Sequence, residues 1–170
     1  SGHATHPDAV TYRLHLYGER SRRKYHRVLL RSGGLRHSSG GLGITTNPTA
    51  VATSFLASFA SGQPDVIAAH VHSDFEKIHW SALGESSVGR DTYREQLPGF
   101  LKDFKELQYE LVDTIADGDR VVVSYVMRAL YDGHPIEIPG MLDLVIVDGL
   151  IKRRIDIFDS LTFLRQIGQS

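Results

Sequence analysis

From Glu106 to Asp159 apolar and polar residues alternate with a period of two, predicting strands at about 106–116, 120–131, 136–147 and 150–159. Ala116-Asp117-Gly118-Asp119, Asp132-Gly133-His134-Pro135 and Asp148-Gly149 separate them, each with an Asp-Gly turn signal. The last two are short enough to force antiparallel neighbours. Upstream the period is helical. Asn47-Pro48 reads as an N-cap followed by a first-turn proline, and Val51, Phe55, Leu56 and Phe59 form a stripe ending near Gly62. Pro64-Asp65 opens a second short helix, with Val66, Ile67 and Val71 as its expected buried face. Phe75 to Trp80 alternates as a strand, with Phe75, Lys77 and His79 on one side and Glu76, Ile78 and Trp80 on the other. After a turn over Gly84 to Gly89, a third helix runs through Tyr93 and Leu97. Pro98-Gly99 is expected to kink or split it before Phe100 and Phe104. A short helix over Leu161 to Ile167 closes the pattern. Helices on one face of a curved antiparallel sheet make an α+β fold whose concave side leaves a cavity.

Charge divides the chain. Residues 1–46 carry eight basic and two acidic side chains, whereas residues 47–170 carry 11 and 18. The first part is also rich in Gly, Ser and His, and reads as a basic, disordered extension preceding one domain over 47–170. It lacks interleaved aromatic and basic residues, so nucleic acid is not an expected partner. No apolar run approaches the roughly 18 residues of a membrane span. Cys is absent, which removes disulfides and thiolate chemistry and fits a cytoplasmic location.

Two acids stand inside core-like strands. Asp156 lies in Ile155-Asp156-Ile157-Phe158, and Asp143 in Leu142-Asp143-Leu144. Burial disfavours a carboxylate's charged form, so Asp156 is expected to act as a general base. Read from the residues, Asp143 can pair with Arg128 or Arg154 across the sheet. His79 adds a group that titrates near neutrality. Trp80, Met141, Phe158, Tyr125 and Tyr93 are candidate pocket walls. Arg128 stands three residues from Tyr125, on the opposite face, so one of the two faces the cavity. His70, His72 and Asp74 lack the spacing of a metal site, and no cofactor-binding motif is present.

The opening helix pair over 48–71, the segment Ser87-Val88-Gly89-Arg90-Asp91 and the ending Ile155-Asp156-Ile157-Phe158-Asp159-Ser160-Leu161 resemble the nuclear transport factor two-like superfamily. Within it, the chain is most similar to the SnoaL-like polyketide cyclases over residues 47–168. That resemblance implies a cone-shaped sheet wrapped around N-terminal helices, and an acid/base role for Asp156. It also implies a match between Asp143 and the oxyanion-hole Asp of ketosteroid isomerases. The basic Asp of those isomerases is replaced near Trp80, and their helical Tyr by an apolar residue near Phe55 or Leu56. The Arg-x-Asp pair of limonene epoxide hydrolases lacks its Asp after Arg128.

The expected function is a cofactor-independent isomerase, cyclase or lyase acting on a small hydrophobic carbonyl compound. Asp156, Asp143 and His79 would be catalytic, and Trp80, Tyr93, Tyr125, Arg128, Met141 and Phe158 substrate-binding. The alternative is a non-catalytic module that binds a hydrophobic ligand or serves as a scaffold. A homodimer is expected through the open sheet face, with Ile151, Ile155 and Ile157 as its apolar stripe.

Overall fold

The Asn47 side chain accepts a hydrogen bond from the Thr49 backbone N–H at 3.0 Å, and Pro48 fills the first helical position. This cap starts α1 (Pro48–Ser58), extended by a 3-10 turn over Phe59–Ser61 that ends at Gly62, where φ is 63°. The computed structural model describes residues 47–169, so the expected basic extension over 1–46 lies outside the described residues. Helix α2 (Pro64–Ala68) is followed by strand β1 (Val71–His79), short strand β2 (Ser87–Val88) and helix α3 (Arg90–Asp103). Four long strands follow: β3 (Phe104–Asp117), β4 (Arg120–Tyr131), β5 (His134–Val147) and β6 (Leu150–Phe158). Helix α4 (Ser160–Gln166) comes last, capped by Asp159 through the Leu161 N–H at 3.0 Å.

Several local expectations need correction. Val71 is fully buried as the first residue of β1 rather than as part of a helix, and Val66 is exposed. Gly84 to Gly89 holds β2 as well as a turn. Pro98 does not split α3, which is assigned as one helix of 14 residues. Pro98 and Arg94, whose carbonyl loses its partner there, both lie on the exposed face where water can take over.

The sheet order is β2-β1-β6-β5-β4-β3. Neighbours are antiparallel except β1 and β6, which run parallel. A parallel pair needs a long crossover, and α3 with strands β2, β3, β4 and β5 supplies it. One cross-sheet row reads Thr114, Val123, Leu142, Asp156, His79, and the next reads Ala116, Val121, Leu144, Arg154, Lys77. Both rows face the helices. Phe55, Phe59, Ile67, Phe75, Leu142 and Leu144 pack into the core between helices and sheet. The opposite face carries Ile115, Val122, Asp143 and Ile155 in one row and Ser124, Met141 and Ile157 in another. Of the expected apolar stripe, Ile157 is 37% exposed and Ile155 is buried, whereas Ile151 belongs to the core. Among the described residues no helix is long and apolar enough to cross a membrane.

Candidate active site

A cavity of about 660 Å³ opens between α3 and the concave face of the sheet. Strand alternation supplies its floor: the polar Lys77 and His79 from β1 and Arg154 and Asp156 from β6, with Phe158 beside them. Aromatic side chains make part of its walls, with Tyr93 and Phe100 from α3 and Tyr109 and Tyr125 from β3 and β4, and Glu85, Glu95 and Asp103 also line it.

Asp156 is only 3% exposed. Its Oδ1 accepts a hydrogen bond from Arg154 Nε at 3.0 Å and a second from Nη2 of the same guanidinium. Arg154 Nη1 donates to the Tyr93 hydroxyl at 3.3 Å, and its guanidinium lies 5.4 Å from the Phe55 ring centroid. Burial is the largest influence on Arg154 and works against its charge, but Asp156, Tyr93 and Tyr109 together outweigh it and the net shift is upward. The guanidinium therefore stays charged. Asp156 is desolvated as expected, and the compensating charge is an adjacent arginine on the same strand face.

The other carboxylate oxygen, Oδ2, is buried without a hydrogen-bond partner among the described residues. His79 Nε2 stands 3.9 Å from it, too far for a direct hydrogen bond. Burial lowers the His79 pKa, and Arg154 and Lys77 add to the effect against the opposing pull of Asp156. The imidazole is thus neutral at pH 7. Its ring is held between Phe158, 6.4 Å away edge-to-face, and the backbone of Gly84. A Cβ on Gly84 would come within 2.4 Å of His79 Nδ1, and its φ of 112° also selects glycine.

Tyr93 is pushed up to about 12, first by burial, so its hydroxyl keeps its proton. Because that oxygen accepts from Arg154, its own hydrogen is available to a ligand. Burial likewise raises Tyr125 and Tyr109. The Tyr125 ring lies over Gly140 on β5, where a side chain would collide with its hydroxyl at 2.4 Å.

The fold brings together Asp156, His79, Tyr93, Tyr125 and Phe158 of the expected residues and separates the other four. Asp143 points to the outer face, where Arg120 Nε donates to its Oδ1 at 2.9 Å. Neither an oxyanion role in this cavity nor pairing with Arg128 or Arg154 is compatible with that position. Trp80 is 68% exposed, on the side of the strand opposite His79. Met141 is 41% exposed on the outer face. Arg128 lies there too, bound to Glu137 by Nε at 2.8 Å and to Glu110 by Nη1. Tyr125 is therefore the cavity-facing member of that pair. His72 pairs with Asp74 at the start of β1, and His70 bonds Ser54 Oγ at 2.9 Å.

Several cavity groups escaped the sequence reading, Glu85, Glu95, Asp103 and Tyr109 among them, and so did Arg154 and Lys77. The signal was there: Arg154 is two residues from Asp156 and Lys77 two from His79, so each shares a strand face with its neighbour.

The description SnoaL-like domain matches residues 52–154 of the chain. No match was found among the curated proteins. Among solved structures, a hypothetical protein from Catenulispora acidiphila with a ketosteroid isomerase-like fold, in complex with trimethylamine, is 17% identical with a TM-score of 0.65. The match covers 71% of this chain and 93% of that one. A putative SnoaL-like polyketide cyclase from Jannaschia sp. is 16% identical at TM-score 0.63, covering 78% and 99%. A putative polyketide cyclase from Bacillus cereus is 20% identical at TM-score 0.60, covering 72% and 80%. At these identities the structural likenesses carry the fold alone, whereas the domain match spans more than half of the sequence. The chain belongs to the SnoaL-like domain family, with the nuclear transport factor two-like fold.

Proposed function

We propose that this protein is an isomerase or cyclase that moves a proton on a small, apolar carbonyl compound bound in the concave cavity. The observation that carries this reading is the Oδ2 atom of Asp156, buried and unpartnered beside an open space of about 660 Å³. A buried acceptor without a donor costs roughly 1–3 kcal/mol, which a bound C–H acid or hydroxyl can recover. Asp156 is the general base that takes a proton from the carbon next to the carbonyl. Arg154 fixes its other oxygen and so aims Oδ2. Tyr93 donates its hydroxyl hydrogen to the oxygen where enolate charge develops. His79, neutral and next to Oδ2, relays the proton to the second carbon. The aromatic walls match a ring-bearing substrate, and exclude water from the enolate.

Hydrogen-deuterium exchange at the α-carbon tests this without knowledge of the natural substrate. A panel of cyclic aromatic ketones such as 1-indanone, followed by NMR in D2O, is expected to exchange faster with the wild type. Asp156→Asn should lower that acceleration roughly 10² to 10⁴-fold. Full acceleration in a folded Asp156→Asn protein refutes the assignment. We also propose that the exposed Met141 and Ile157 contribute to a homodimer face, to be read by sedimentation velocity.

A further inference from the structure

Lys77 is a cavity group that proton transfer leaves unused. It projects from β1 on the same face as His79, and its Cα partner on β6 is Arg154. Its Nζ stands 5.8 Å from the Tyr93 ring centroid. Lys152, by contrast, holds Asp74, while no carboxylate lies within ion-pairing distance of Lys77 among the described residues. An amine in an aromatic pocket beside an arginine, with no acid of its own, resembles the environment that makes lysine a nucleophile.

We propose that Lys77 captures the carbonyl group of the substrate covalently, as an imine. This deepens the reading above, with an enamine in place of its enolate and the Tyr93 hydroxyl serving the departing oxygen, and rests on its carbonyl substrate. The Nζ lone pair adds to the carbonyl carbon, forming a C–N bond while the C=O π electrons move to oxygen. The amine's protons and the surrounding acids convert that oxygen to water, which leaves as the C=N bond forms. The protonated imine draws electrons from the neighbouring carbon, so Asp156 Oδ2 can take the α-proton and an enamine results. Return of a proton at another carbon and re-addition of water release the rearranged carbonyl compound and the free amine. No external oxidant or reductant enters.

The charge balance of the cavity favours the attacking form. Burial and Arg154 lower the Lys77 pKa to about 8, against the opposing pull of Asp156 and Glu85. At pH 7 its neutral fraction is roughly three hundred times that of an ordinary lysine.

The test is reductive trapping at pH 7 with benzaldehyde and sodium cyanoborohydride, mapped by peptide mass spectrometry on the full chain. Lys102 and Lys105, both exposed, serve as internal references. The expected result is a benzyl adduct at Lys77 forming at least tenfold faster than at either reference. Equal or slower labelling of Lys77 overturns the proposal. Lys77→Arg provides a second reading, because arginine keeps a cation there and cannot form the imine. Loss of ketone exchange in Lys77→Arg supports covalent capture, and full exchange overturns it. If Asp156→Asn keeps full exchange while Lys77 is still trapped, the proton-transfer reading fails and the imine stands. If Lys77 is not trapped while exchange still depends on Asp156, only the imine fails.

Discussion

Replacing Arg154 by Met is the most informative stability experiment on this fold. Asp156 and Arg154 are 3% and 7% exposed, so neither charge can recover water when its partner is removed. Breaking a buried pair by deleting one member costs about 3–5 kcal/mol, because the other charge is left uncompensated. The cation over Phe55 and Phe59 is also lost, worth about 1 kcal/mol, although Met refills part of the volume. For a domain of this size that corresponds to a fall in Tm of about 10–20 °C. The double variant Arg154→Met, Asp156→Leu removes both charges and should recover most of the loss, to within about 2 kcal/mol of wild type. Urea denaturation followed by circular dichroism, on both single variants and the double, gives the coupling directly. An Arg154→Met protein within about 1 kcal/mol of wild type would refute the reasoning. It would mean that water reaches Asp156, and with it the argument for a dry carboxylate would fall.

Asp143→Asn offers the matched control: its partner Arg120 is exposed, so the loss should stay near 1 kcal/mol and ketone exchange should be unchanged in the NMR assay. Gly84→Ala forces both a positive φ on alanine and a clash with His79, so we expect about 1–3 kcal/mol of destabilisation by thermal melting and slower exchange. Lys77 releases its proton near pH 8 when folded, whereas the unfolded chain holds it until about 10.5. Between those values the unfolded state binds more protons, so wild-type stability should rise with pH relative to Lys77→Met. The gain is about 1–2 kcal/mol after allowing for residual solvent contact, measured by urea titrations at pH 7.5 and 10. A flat difference across that window would show that Lys77 is solvated.

The linear chain determined most of the scaffold. Period-two alternation and Asp-Gly turns specify the four long strands because side-chain direction in a strand is local geometry. The Asn47-Pro48 start is local for the same reason: cap and proline act within one turn. Alternation likewise placed Lys77 with His79 and Arg154 with Asp156, since residues two apart share a face. What it could not give was which face looks inward on different strands, and that is where Asp143, Met141 and Arg128 went astray. Each lies in a strand that reads as core on both sides, and only the register with β6 turns Asp156 toward the helices and Asp143 away. The parallel pairing of β1 with β6 is equally non-local, joining residues more than 70 positions apart. That single contact sets His79 beside Asp156 and Lys77 beside Arg154. The identity of the polar groups was written in the sequence, but their convergence was decided by strand register, because only register says which side chains from distant segments share one hollow.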